Sequence, residues 1–330
     1  MDALSDSRAN NEQGARHPAV DVVIVNWNSR LLLRECLAAL DRSTIADRLK
    51  VTIVDNASAD GSAQALRAER IRLELVYNHE NRGFAAACNQ GAKRGVAPLI
   101  LFLNPDVRLS PDAVDNAAQY FIQPENRGVG IVGIKLLDAK GRIQRSCARR
   151  PTLAALLLRT MFIDRLCPGL VPPHFLTERE HCDTRPVDQV MGAFLMIRRA
   201  LFEKIGGFDE RFFLYYEDLD LCLAAQQCGS SVVHFTGAQA EHIGMGTTEA
   251  IKDRRLFYEA RSRVEYTAKR HGRLAAVTLS IFIITFELPI RLIYATTSPS
   301  PREGWVVFRG TALFWQSLLG LWRGIGARGA

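Results

Sequence analysis

Two acidic segments, far apart in the chain, carry the side chains best suited to chemistry. Leu103-Asn104-Pro105-Asp106-Val107 ends the apolar run Pro98 to Leu103, and Tyr215-Tyr216-Glu217-Asp218-Leu219-Asp220 follows Gly206-Gly207-Phe208-Asp209-Glu210. A carboxylate at the carboxyl end of a buried strand is well placed to hold a divalent cation. A carboxylate pair entering from another element can supply a general base. Together they suit metal-assisted transfer from a phosphate-bearing donor, because Mg2+ or Mn2+ held by one or two carboxylates bridges adjacent phosphates and stabilises a departing diphosphate. His242, in a Gly-rich segment after a predicted strand, could complete a metal shell with Asp106. Asp55, at the end of another strand, could accept a hydrogen bond from a base imide N–H or a ribose hydroxyl. Each group also has a structural reading. Asn-Pro-Asp is turn chemistry, Ser58 and Asp60 near Asp55 suit a helix N-cap, acids at a helix start interact with its macrodipole, and a lone histidine is often simply packed.

These residues need a scaffold that brings them together. Val20 to Asn26 and Lys50 to Asn56 read as buried parallel strands, Leu73 to Asn78 as a third and Leu99 to Leu103 as a fourth. Helices are predicted between them at 30–40, 62–70 and 83–94. Strands alternating with helices at short spacing indicate an α/β fold with a parallel sheet. Ligands of open α/β sheets bind beyond the carboxyl ends of the strands, so Asn26, Asp55 and Asp106 should converge on one crevice. Further along, strands are predicted at 128–137, 141–147, 187–198 and 231–235. An apolar helix is predicted at 151–166, a Pro-rich loop at 167–186, short helices at 200–205 and 219–228, a polar loop at 236–248 and a basic helix at 249–271.

The chain has 330 residues, 48% of them hydrophobic, and a net charge of +7. That is ample for one large core with an appended segment. The basic balance fits a phosphorylated substrate, an anionic membrane surface or nucleic acid without choosing among them. A nucleic-acid binder would interleave basic residues with exposed aromatics on one face, which this chain does not do. No GxGxxG follows the first strand, which argues against a dinucleotide-dependent dehydrogenase. Seven scattered cysteines with no CxxC pair read as free thiols. Residues 1–19 are polar, without an apolar core, and read as a disordered tail rather than a secretory signal.

The C-terminal part is apolar in two stretches. Leu274 to Phe286 is uncharged but shorter than the ~20 residues of a spanning helix. Trp305 to Trp322 contains Trp305, Trp315 and Trp322 beside Arg309, a mixture suited to a helix in a lipid headgroup layer. The stretches read as a pair packed on their own domain, as an interfacial membrane anchor, or as a span.

As an ordered set these segments resemble family 2 glycosyltransferases of the nucleotide-diphospho-sugar transferase (GT-A) fold. The resemblance rests on Val22 to Asn28, Val54 to Ser62, Asn81 to Asn89, Phe102 to Asp106, Met191 to Arg199, and Gly206 to Cys222, and covers about residues 20–245. It is nearest to bacterial rhamnosyltransferases that act on polyprenyl-diphosphate-linked sugars in O-antigen or cell-wall assembly. It implies a Rossmann-like mixed sheet flanked by helices over 20–248, with 249–330 a C-terminal helical, membrane-associating segment. It implies a donor pocket formed by Asn26, Trp27, Asp55, Asn81, Gly83, Asn89, Asn104 and Asp106. It implies a Mg2+ or Mn2+ site of Asp106, His242 and Asn104: Asn104 and Asp106 stand where the family has its DxD motif, and His242 matches a histidine that is a metal ligand in related enzymes. Here the first position is Asn, a neutral and weaker ligand, so Asp106 must dominate. Asp218 corresponds to the base, with Glu217 beside it. The implied reaction is an inverting transfer, of rhamnose from dTDP-rhamnose, to a lipid-linked saccharide at the inner face of the cytoplasmic membrane. From the residues themselves, Arg145, Arg149 and Arg150, beside the apolar stretch Leu153 to Phe162, are candidates for the acceptor's diphosphate. The other reading is a non-catalytic nucleotide-sugar-binding or scaffold subunit of a polysaccharide assembly complex.

Overall fold

The computed structural model describes residues 19–167, 169–244, 252–297 and 301–327. The expected N-terminal tail, apart from residue 19, lies outside them, as do the end of the expected 236–248 loop and the start of the basic helix.

The first half follows the alternating pattern. Strands β1 (Val20–Asn26), β2 (Leu49–Asp55), β3 (Arg72–Tyr77) and β4 (Leu99–Leu103) pair in parallel in the order β3-β2-β1-β4. Their Val, Ile and Leu side chains are buried on both faces of β1 and β4, the signature of a sheet covered by helices on each side. Helices α1 (Leu32–Asp41) and α2 (Phe84–Ala92) connect them. The expected helix at 62–70 is absent. The segment forms turns, because Asp60 and Ser62 are engaged elsewhere: the Asp60 carboxylate accepts from Arg30 N and Ser62 N, and the Ser62 hydroxyl accepts from Asn26 Nδ2. Polar side chains committed to tertiary hydrogen bonds compete with a local helix.

Beyond β4 the sheet becomes mixed. A short strand β5 (Val107–Leu109) and helix α3 (Ala113–Ile122) precede β6 (Val129–Leu137). The expected strand 141–147 shrinks to β7 (Cys147–Ala148), and the expected helix 151–166 breaks into α4 (Leu153–Thr160) and α5 (Ile163–Leu166) at left-handed Phe162. After β8 (Arg185–Pro186), the expected strand 187–198 divides into β9 (Gln189–Val190) and β10 (Phe194–Arg198). Helices α6 (Arg199–Ile205) and α7 (Glu217–Gln227) follow, and then β11 (Ser231–His242), which runs through most of the expected polar loop. The sheet order is β3-β2-β1-β4-β10-β6-β11-β5, with β10 antiparallel to β4 and β6, and β5 antiparallel to β11. One apolar core lies under α1 and α3, and a second lies on the opposite face under α2, α6 and α7.

The C-terminal helices share a third core with the rest. Helix α8 (Lys252–His271) leads to α9 (Arg273–Phe282), a π-turn (Ile283–Glu287), α10 (Leu288–Thr297) and α11 (Pro301–Ala327). Phe212, Leu219 and Leu223 pack with Val264, Tyr266, Leu279, Ile283, Phe314 and Leu318. The apolar stretch 274–286 was expected to stop short of membrane length. Instead the helix continues through Glu287 and Pro289, and Arg273–Ala295 is long and apolar enough to cross a membrane by length and composition alone. The π-turn just before Pro289 accommodates a residue that lacks an N–H and crowds the preceding turn. Glu287 is buried, and its carboxylate is bonded to buried Arg263 at 2.5 Å and to Arg291 at 2.9 Å. Removing one member of a buried ion pair strands the other charge. Glu287→Gln should therefore lower stability by about 3 kcal/mol, measured by chemical denaturation. A change below about 1 kcal/mol would show that the Arg263 charge is compensated without Glu287.

Candidate active site

A cavity of about 890 Å3 opens beyond the carboxyl ends of β1 and β4. Its walls include Trp27, Asn56, Asn81, Gly83, Asn104, Asp106, Gln144, Gln189, Glu217, Asp218 and His242. The two acidic segments and the histidine, separate in sequence, thus face one space.

Asp106 and His242 are brought together by strand register. Asn104 N bonds Ala193 O at the end of β4, the chain turns through Val107 N to Asn104 O, and β5 then pairs Val107 with His242 of β11. Both side chains are buried, and His242 Nε2 lies 3.4 Å from Asp106 Oδ1. The other ring nitrogen, Nδ1, is 2.6 Å from Gln144 Oε1, an acceptor, so Nδ1 carries a proton. In the neutral ring Nε2 is then a lone pair facing a carboxylate, an arrangement that needs a proton or a cation between them. Among the described residues no three His, Cys, Asp or Glu side chains form a metal cage. Two ligands plus the neighbouring Asn104 nonetheless fit Mg2+ or Mn2+, which take one or two protein ligands and complete their shell with water and substrate phosphates. Gln144 makes the kind of outer hydrogen bond that orients a histidine ligand.

Glu217 and Asp218 open α7 directly after Tyr215 and Tyr216, both with positive φ (70° and 69°). The break between β9 and β10 frees Gly192 N, which donates to Asp218 Oδ2 at 3.1 Å. Oδ1 accepts from Leu219 N at 2.7 Å and from Gln189 Nε2 at 3.0 Å. Glu217 is buried, and its Oε2 has no hydrogen-bond partner among the described residues. Burial pushes both carboxyls above their usual range. Glu217 rises furthest because Asp218 also repels its charge, whereas the three donors pull Asp218 back. The pair therefore ionises first at Asp218, with Glu217 held protonated. Such a carboxylate, poised nearer neutral pH than a free aspartate, is suited to accept a proton from a hydroxyl in the cavity.

Other expected site residues are placed differently. Asn26 and Asp55 are buried and do not line the cavity. Asn26 Nδ2 bonds Asp55 Oδ1 at 2.6 Å and Ser62 Oγ at 2.8 Å, and Asp55 Oδ2 accepts from Ser58 N, so they brace the loop behind the wall. Asn89 lies away from the cavity. It accepts from Phe208 N and donates to Phe208 O and Glu210, fixing the Gly206–Glu210 turn. Arg145, Arg149 and Arg150 do not line it either. Arg145 and Arg149 pair with Glu178 and Glu180, and Arg150 N bonds Asp188. Gly83 does line it. At φ +84°, an added Cβ would sit 2.7 Å from Phe213 O, so only glycine allows the Phe213 segment to approach the donor-side loop. Three contributors carried no signal in the sequence. Gln144 and Gln189 act through amides, and Asn56 ties Asn78, Asn81 and Gly83 into one loop.

The comparisons with known proteins agree with this geometry. The model of glycosyl transferase family 2 matches residues 21–206, more than half of the chain, and the chain belongs to that family. It is a glycosyltransferase. It is 27% identical over 265 residues to an N-acetylglucosaminyl-diphospho-decaprenol L-rhamnosyltransferase of Mycobacterium tuberculosis, covering 76% of this chain and 84% of that one. It is 23% identical to the rhamnosyltransferase WbbL of Escherichia coli, over 59% of this chain and 70% of that one. The fold resembles that of a mannosyltransferase from Pyrobaculum calidifontis, solved with GDP-Man and Mn2+, with a TM-score of 0.51 at 18% identity over 98% of this chain and 93% of that one.

Removing a donor to the ionised form raises a carboxyl pKa. Gln189→Leu should therefore move the acid limb of the kcat/KM pH profile up by about one unit, the equivalent of one net hydrogen bond. An unmoved limb would mean that the group titrating in that limb is not Asp218.

Proposed function

We propose that this chain transfers a sugar, rhamnose from dTDP-rhamnose, from a nucleotide-diphospho-sugar to a hydroxyl of a saccharide carried on a polyprenyl diphosphate, with inversion at the anomeric carbon. One observation carries this reading: Asp218 and the Asp106–His242 pair line the same cavity. The named activity of the mycobacterial relative, an N-acetylglucosaminyl-diphospho-decaprenol rhamnosyltransferase, supports the choice of sugar and acceptor. Residues 20–248 are the catalytic part, with 249–330 as a helical extension.

The acceptor hydroxyl attacks the anomeric carbon from the side of Asp218, which takes its proton as the bond to the nucleoside diphosphate breaks. Glu217 stays protonated beside it, which keeps a second negative charge out of the pocket. Gln189, Gly192 N and Leu219 N hold the carboxylate in position for the oxygen it deprotonates. Asp106, His242 and Asn104 would hold Mg2+ or Mn2+, which when bound stabilises negative charge on the leaving diphosphate. Trp27, Asn81 and Gly83 form the donor side of the pocket.

Asp218→Asn keeps the size of the side chain but removes the base and turns one of its two acceptor atoms into a donor. It should lower kcat by at least about a hundredfold while leaving donor affinity, read by isothermal titration with dTDP-rhamnose, near that of wild type. Comparable turnover in the variant would exclude Asp218 as the base.

The same reading places the chain on the inner face of the cytoplasmic membrane, through the exposed Leu274, Ile293, Trp305, Phe308, Trp315 and Leu319 of the C-terminal helices. Trp305→Ser/Phe308→Ser/Trp315→Ser should abolish flotation with anionic liposomes that carry the wild-type chain. Equal flotation of both would show that these side chains do not anchor it.

A further inference from the structure

Resting on the transfer reading above, we propose that Arg254 and Arg255, at the start of α8, bind the diphosphate of the lipid-linked acceptor. Both line the cavity that holds Asp218, although they come from the C-terminal extension rather than from the sheet. Arg254 is exposed and makes no ion pair among the described residues; its neighbour Asp253 is taken by Arg309 of α11, 3.4 Å away. The arginine cluster at 145–150 is differently placed, with Arg145 and Arg149 already matched to carboxylates.

The surroundings of Arg254 and Arg255 suit a diphosphate with an apolar tail. One turn on, Tyr258 stacks on Phe213 with ring centres 4.5 Å apart, and the Phe213 carbonyl accepts from Phe84 N beside Gly83. The arginines are thereby tied to the wall that carries the donor loop. Helix α11 crosses α8 closely here: a Cβ on Gly310 would lie 2.9 Å from Asp253 O. One turn earlier on α11, Trp305 and Phe308 are exposed and stacked on each other at 5.6 Å. A cationic pair at a cavity mouth, next to an exposed aromatic pair, matches the join between a diphosphate and a prenyl chain. Guanidinium groups bind phosphate oxygens in paired, charge-assisted hydrogen bonds. The donor's diphosphate is the other possible source of this chemistry. The acceptor is favoured because the Asp106–His242 pair already offers a cation site for the donor, and because the exposed Trp305 and Phe308 lie outside the cavity lining, where a prenyl chain rather than the donor would run.

The test uses the full chain in detergent, dTDP-rhamnose as donor and two acceptors. One is an N-acetylglucosaminyl-diphospho-lipid with a short prenyl chain, and the other an octyl N-acetylglucosaminide without phosphate. Wild type should favour the first by at least about tenfold in kcat/KM, the scale of one charge-assisted contact. In Arg254→Ala/Arg255→Ala the ratio should fall to within about twofold, and Arg254→Lys/Arg255→Lys should recover part of it, which separates charge recognition from misfolding. A ratio that survives the alanine substitutions overturns the assignment. A rise in donor KM with the acceptor ratio unchanged also overturns it, and moves the arginines to the donor. Failure of wild type to transfer to either acceptor overturns the activity reading itself, and this assignment with it.

Discussion

Two adjacent carboxylates withdrawn from water cannot both be ionised cheaply, and the rest of the site is arranged around that constraint. Glu217 and Asp218 compete for one negative charge. Gly192 N, Leu219 N and the Gln189 amide all donate to Asp218, while Glu217 Oε2 has no hydrogen-bond partner among the described residues. The charge is thus assigned by hydrogen bonding rather than by exposure. The interruption between β9 and β10 follows from this need. A continuous strand through Met191-Gly192-Ala193 would commit Gly192 N to the ladder and remove one donor.

Holding that carboxylate also accounts for the role of the C-terminal helices in the site. Tyr215 and Tyr216 sit in left-handed backbone, which for non-glycine residues persists only when surrounding contacts enforce it. The enforcing contacts come largely from α8. Ser262 donates to Leu214 O at 2.8 Å, Tyr258 stacks on Phe213, and the Tyr266 ring lies 5.3 Å from that of Tyr216. Further along, Lys269 and Arg270 both pair with Asp220, one turn into α7. Helix α8 is therefore part of the frame of the active site, and the family match ending at 206 understates what the chemistry requires.

This division explains what could be read in the sequence. β1, β2 and β4 were legible because uninterrupted β-branched and Leu runs have few other solutions; of the three residues expected to converge at their ends, Asp106 lines the cavity and Asn26 and Asp55 do not. Asp106, Glu217, Asp218 and His242 stood out as candidates because carboxylates and imidazoles are rarely buried without a use, and all four line the one cavity. Amides carry no such mark, so Gln144 and Gln189 were invisible. Asn89 and Asp55 were expected at the pocket but satisfy backbone groups behind it, and a sequence cannot show toward which side of a wall a polar side chain turns. β5 was missed for a different reason: three residues have no periodicity, and only pairing with β11 makes them a strand. The helix through Pro289 was missed because a π-turn, a tertiary accommodation, removes the break that proline usually imposes.

The Asn104 substitution gains its meaning from the same geometry. A neutral amide in place of a carboxylate leaves the cation side of the pocket with less negative charge, and Asp106 alone cannot offset that. What remains is directional: Gln144 holds the imidazole so that Nε2 faces Asp106 Oδ1, 3.4 Å away. A site with fewer charges and fixed lone pairs holds a cation more weakly when the donor is absent than when donor phosphates complete the shell.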